Sequence, residues 1–128
     1  KIYSSRDINI VLNKFFELGN INLEQKNKYE KMIFEITNHL DLIEYFNENL
    51  ISFNEREIIS GTGKNLIPDR LTFLNKDNLV IIEYKTGLKN HLHINQLKKY
   101  ERILQEMNLN VIKKILVYIN KKIEVDIY

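Results

Sequence analysis

The chain has 128 residues, of which 44% are apolar and 28% charged, with no cysteine and a formal net charge of +2. That length suffices for one domain with one core. The composition excludes disulfide staples and thiolate metal sites, fits a reducing compartment, and leaves any basic surface to local clustering rather than to an overall field. No apolar run approaches the roughly 20 residues of a membrane span, and no signal peptide is visible. Lys1 is a poor natural start, so the chain is expected to be a cut piece of something longer.

Ser5-Arg6-Asp7 can cap a first helix, with Ile8, Val11, Leu12, Phe15 and Phe16 at helical spacing and Gly19 as its stop. Asn22 and Gln25 have capping-box spacing. A longer helix is expected behind them, with Tyr29, Met32, Ile33, Ile36 and Leu40 as its apolar stripe and His39 within it. Asp41 to Phe46 reads as a further helical turn or two. These helices are expected to form a layer packed on a sheet.

From Leu50 the texture changes. Residues 51–60 alternate like a strand, Gly61 to Asn65 reads as a turn, and Leu66 to Leu74 as a second strand. Pro68 has no amide to donate, so it belongs at an edge, a bulge or the start of a strand. Asn75 to Asn78 makes a hairpin loop and Leu79 to Lys85 a third strand. Four consecutive apolar residues, Leu79 to Ile82, indicate a strand buried on both faces. A helix opens at His91 or Asn95, with Leu97, Tyr100, Leu104 and Met107 inward. Strands over Val111 to Asn120 and Ile123 to Tyr128 close the chain. The pattern predicts an α/β fold: a mixed central sheet of about five strands flanked by helices, with an N-terminal helical segment.

The buried strand ends in charge. Glu83 and Lys85 are two apart and project from one face. In an antiparallel hairpin, directly opposed residues share a face. An odd-numbered loop centred on Asp77 would set Asp69 opposite Lys85, whereas a two-residue turn would set it opposite Tyr84 on the wrong side. Two carboxylates and a lysine on one face suit metal-dependent phosphodiester cleavage: the acids hold a hard divalent cation and the lysine orients or activates water. Gln96 and Tyr100, four apart, lie on one line of their helix. Lys89, Lys98, Lys99, Arg102, Lys113 and Lys114 are candidates for a phosphate-contacting rim. His91 and His93 are expected between the catalytic strand and the helix, where loop histidines are usually just exposed, and Glu55 and Glu57 precede the site in the sheet.

Pro68-Asp69-Arg70-Leu71, then Ile82-Glu83-Tyr84-Lys85-Thr86-Gly87, then Gln96-Leu97-x-x-Tyr100 resemble the PD-(D/E)XK nuclease superfamily. Within it they look most like the carboxy-terminal nuclease domain of RecB/AddA-type helicase–nucleases, the exonuclease V beta-subunit kind. The resemblance covers about Asn54 to Asn120. It implies a restriction-endonuclease-like core at 49–128 behind a helical flank at 1–48, both within a single domain. It implies a divalent-metal-dependent (exo)deoxyribonuclease, part of a bacterial, cytoplasmic helicase–nuclease of DNA repair and recombination. Mg2+, or Mn2+ in its place, would be held by Asp69, Glu83 and the backbone carbonyl of Tyr84. Lys85 would be the catalytic lysine, with Gln96 and Tyr100 lining the site. The partners implied are DNA and the helicase/ATPase portion of the same longer chain or complex. Family members often add a histidine ligand on an upstream helix. His39 lacks the accompanying glycine, so that helix is expected before Lys1, which leaves the activity of the piece without it open. The alternative is a nuclease-fold module that binds DNA ends or a partner protein without cutting.

Overall fold

The computed structural model describes residues 13, 16–55, 57–59 and 65–128. The expected first helix falls almost wholly outside them, as does the turn at 61–64. The chain divides into two compact units, Lys1–Asn49 and Leu50–Tyr128, within a residue of the boundary expected between flank and core. No helix among the described residues is long and apolar enough to cross a membrane.

In the first unit, Gly19 has a left-handed φ of 76°, and its N–H donates to the Phe16 carbonyl at 3.0 Å. Helix α1, Leu23–Thr37, starts in a reciprocal capping box. The Gln25 N–H donates to Asn22 Oδ1 at 2.8 Å and the Asn22 N–H to Gln25 Oε1 at 3.0 Å, occupying donors that a helix start otherwise leaves unpaired. The helix ends before His39 and Leu40, correcting their expected place inside it. Leu40 is 91% exposed and contributes nothing to a buried stripe. A single 3-10 turn follows at Ile43–Phe46.

The second unit is α/β. Its strands are β1 (Ile51–Asn54), β2 (Ile58–Ile59), β3 (Asn65–Leu66), β4 (Arg70–Phe73), β5 (Asn78–Lys85), β6 (Asn110–Ile119) and β7 (Ile123–Ile127), with helix α2 (His91–Glu106) between β5 and β6. The main sheet runs β1-β4-β5-β6-β7, and β2 and β3 form a separate two-stranded ribbon. Among the described residues only β5 and β6 pair in parallel, joined by the α2 crossover; the other pairs are antiparallel. The expected mixed five-stranded sheet is present. The ribbon was not expected. It arises because two expected strands break: Glu55 takes a left-handed φ of 51°, and Pro68 interrupts the run before β4.

Leu79, Val80, Ile81 and Ile82 have no exposed surface, as a central strand buried on both faces requires. Burying such a side chain contributes roughly 1.5–3 kcal/mol. One face of β5 meets α2: Leu79 and Ile81 pack with Leu71, Leu116 and Tyr118 and with Leu97, Tyr100, Ile103 and Leu104 of the helix. Met107, expected inward, is the exposed C-cap of α2. On the other face of the sheet Arg70 is buried. It donates to Ser52 Oγ at 3.0 Å, Asn54 Oδ1 at 3.1 Å and Thr72 Oγ1 at 3.2 Å.

Candidate active site

The β4–β5 loop sets which carboxylates meet. Leu74 N–H donates to the Asn78 carbonyl at 2.8 Å, leaving Asn75 to Asp77 as a three-residue loop. Asn75 Oδ1 accepts from the N–H groups of Asp77 and Asn78, both at 3.0 Å, the turn chemistry asparagine favours. The loop is odd-numbered, as expected, but centred on Lys76. Arg70 therefore pairs with Ile82, and Asp69, one step further, stands across from Glu83 rather than Lys85. The shared face is kept, because a shift of two residues preserves side-chain direction.

Asp69 and Glu83 hold each other through the backbone. The Asp69 N–H donates to Glu83 Oε1 at 2.5 Å, and the Tyr84 N–H donates to Asp69 Oδ2 at 2.8 Å. The Asp69 carbonyl accepts from Glu55 N–H at 2.9 Å, which fastens this end of the hairpin to β1. Glu83 is only 3% exposed. Burial pushes its pKa up to about 7; the Asp69 N–H opposes the rise, the Asp69 carboxylate adds to it, and the Lys85 ammonium opposes it. A buried carboxyl facing a second carboxylate either takes up a proton or needs a cation beside it.

Lys85 projects from the same face, and its Nζ donates to Gln96 Oε1 at 2.6 Å. Tyr100, one turn further along the same side of α2 as Gln96, donates from Oη to the Ile67 carbonyl at 3.4 Å. Gln96 thus holds the lysine, and the buried Tyr100 ties α2 to the chain just before Pro68. Burial, then the charges of Glu83 and Asp69, push the Tyr100 pKa up to about 12, so it remains a neutral donor. Asp69, Glu83, Lys85, Gln96 and Tyr100 are accordingly one cluster. The Tyr84 side chain points to the opposite face from Glu83 and Lys85; burial there raises its pKa to about 12.

A groove of about 910 Å3 opens beside Lys85 and Gln96, walled by Leu66, His93, Lys98, Lys99 and Arg102 among others. Asp69 and Glu83 adjoin it through Lys85 and are not among its walls. Lys89 lies elsewhere: its Nζ is 3.0 Å from both Glu124 and Asp126 of β7 and 5.5 Å above the Tyr118 ring. Lys114 is held 2.9 Å from Glu101. Glu55, Glu57 and His91 are exposed. His93 is not in a loop, because the Asn90 side chain caps α2 and sets His93 in its first turn. Two supports were missed from sequence. Tyr118 meets His93, and Asn120 clamps Gly87, accepting from its N–H at 2.9 Å and donating to its carbonyl at 3.0 Å. The glycine at position 87, whose φ is 81°, was the available signal that this loop is held in a special shape.

No family model and no curated protein matches the chain. Among solved structures it is similar to that titled "Crystal structure of SSO0001", an archaeal protein. The two share 23% identity over 91% of this chain and 60% of that one, with a TM-score of 0.44. The chain thus spans three fifths of the length of that protein. What the site can do is read from its own geometry.

Among the described residues, no group of three or more His, Cys, Asp or Glu side chains gathers to hold a metal. A cation at Asp69 and Glu83 would therefore have two carboxylates as its side-chain ligands, with main-chain oxygen and water to complete its shell. That is the all-oxygen set Mg2+ takes, since it usually keeps several waters and needs only one or two carboxylates. The mutual repulsion within the pair fits a divalent cation for the same reason.

Proposed function

We propose that this chain is a divalent-metal-dependent DNA nuclease domain of the PD-(D/E)XK kind. It would work within a DNA-repair helicase–nuclease whose motor lies elsewhere in the same longer chain or complex. The observation that carries the reading is the Asp69–Glu83 lock with Lys85 on the same face, anchored by Gln96. The ordered motif on strand, strand and helix supports it further.

Asp69 and Glu83 would hold Mg2+ or Mn2+, with the Tyr84 carbonyl as a further oxygen. When bound, the ion supplies charge neutralisation at the phosphate and a more acidic water. Lys85 supplies the protein's own positive charge beside the attacked phosphate. Gln96 keeps the Lys85 ammonium from folding back onto the carboxylates. Tyr100, neutral and buried, fastens α2, and with it Gln96, to the chain just before Pro68.

The test is cleavage of 5′-labelled DNA by the full-length protein, with Mg2+ and with chelator, against Lys85→Met and Asp69→Asn variants. Metal-dependent cleavage lost in both variants is the expected result. Cleavage equal in all three proteins, or absent from the unaltered one, refutes the proposal.

A further inference from the structure

His93 is the polar wall of the groove that the proposed chemistry leaves unused. It stands one turn before Gln96 on α2, so the two share a side of the helix, and both line the groove with Lys85. Its Nδ1 lies 3.0 Å from the Tyr118 hydroxyl, and the two rings sit 5.7 Å apart, tilted by 42°. Tyr118 is almost fully buried and pairs with Lys85 in the parallel β5–β6 ladder.

The tautomer follows from the hydrogen bonds. The Tyr118 side chain is almost fully buried, and among the described residues its hydroxyl hydrogen-bonds to His93 Nδ1 and to no other acceptor. That leaves the Tyr118 hydroxyl proton to donate to His93 Nδ1, and the imidazole must then carry its own proton on Nε2. Burial, followed by the Lys85 ammonium, holds the His93 pKa below its ordinary value, so the ring is neutral near pH 7. Among the described residues nothing bonds to Nε2. An N–H donor in a fixed orientation is thus presented to a groove that Lys85, Lys99 and Arg102 make cationic.

We infer that His93 is a substrate contact, donating its Nε2–H to a non-bridging oxygen of the phosphate next to the one being cut. This deepens the nuclease reading of the Asp69, Glu83 and Lys85 site and rests on it. The neighbouring phosphate is the partner because Lys85 lies one pleat beyond Glu83, roughly 7 Å along the strand. His93 is held beside Lys85 through Tyr118, and so stands further along than the carboxylates. A donor without charge reads the oxygen's position and leaves the charge to the lysines.

The experiment places one methylphosphonate, which lacks the charged non-bridging oxygen, at each phosphate flanking the cut in a 5′-labelled single strand. It is run on the full-length protein with Mg2+. At one flanking position the unaltered protein loses roughly tenfold or more in kcat/KM, the scale of a hydrogen bond to a charged group. His93→Phe loses a similar factor on unmodified DNA and nothing more at that position. His93→Gln, whose amide nitrogen reaches toward the place of Nε2, regains most of the rate. Imidazole 15N–1H spectra of the free protein show the Nε2–H tautomer, and Tyr118→Phe weakens that preference. An undiminished methylphosphonate penalty in His93→Phe at every position, or an Nδ1–H tautomer, overturns the inference while leaving the nuclease reading in place. Absence of metal-dependent cleavage in the unaltered protein overturns both.

Discussion

Glu83→Gln removes a charge from the centre of the sheet while keeping the side chain's shape. The Gln oxygen can still accept the Asp69 N–H, and its amide nitrogen can donate to the Asp69 carboxylate. In the unaltered chain the Glu83 pKa rises from 4.5 to about 7 in the fold. The native state therefore holds its proton more tightly than the unfolded one. Stability from this group is complete below about pH 4.5, declines as the pH rises toward 7, and stays at its reduced level above that. A rise of this size, at about 1.4 kcal/mol per pKa unit, corresponds to no more than roughly 3 kcal/mol; solvent screening reduces it toward about 2 kcal/mol. Glu83→Gln lacks the loss, so in chelator at pH 8 it unfolds at a temperature higher by roughly 5–10 °C, and at pH 4 it matches the unaltered protein. The assay is urea and thermal unfolding by circular dichroism from pH 4 to 9, with the difference between the two proteins plotted against pH. Added Mg2+ at about tenfold its Kd should return about 1.4 kcal/mol to the unaltered protein at pH 8, and much less to Glu83→Gln. A difference that does not vary with pH would show that Glu83 ionises without cost and would refute the reasoning.

Lys85→Met keeps the aliphatic stem and removes the ammonium, so the fold survives by circular dichroism while metal-dependent DNA cleavage falls below detection. Lys99→Ala with Arg102→Ala weakens DNA binding without altering the melting temperature. By fluorescence anisotropy, the slope of log affinity against log salt shrinks by between about 1 and 2 for single-stranded DNA. Asn120→Ala loses both bonds to the Gly87 peptide and costs about 1–2 kcal/mol in urea unfolding. Cleavage falls with it, because the loop beyond Lys85 is no longer fastened to the β6–β7 turn.

The central strand was legible because four consecutive aliphatic residues have few other places to go, and the α1 start because Asn22 and Gln25 satisfy each other locally. The cluster of Asp69, Glu83, Lys85, Gln96 and Tyr100 was legible in membership but not in register. One residue of loop placement decides whether Asp69 meets Glu83 or Lys85, and Asn75, rather than the loop's midpoint, decides that placement. The break of the alternating run at Glu55 was hidden, since nothing in residues 51–60 announces a left-handed turn. Lys89 looked like its neighbouring lysines. Its ion pairs with Glu124 and Asp126 come from a strand more than thirty residues away, which local composition does not reveal. His93 was read as loop because the capping role of Asn90 went unnoticed.

The parallel pairing of β5 with β6 has a consequence during synthesis. The hairpin that joins Asp69 to Glu83 has left the ribosome once Lys85 has, but the strand that covers its open edge ends only at Ile119, 34 residues later. At 5–20 residues per second that is roughly 2–7 s in which Leu79 to Ile82 offer unpaired backbone and bare aliphatic surface to other nascent chains. Chains terminated between Lys85 and Asn110 should accordingly collect in inclusion bodies or on trigger-type chaperones, while those extended past Ile119 should not.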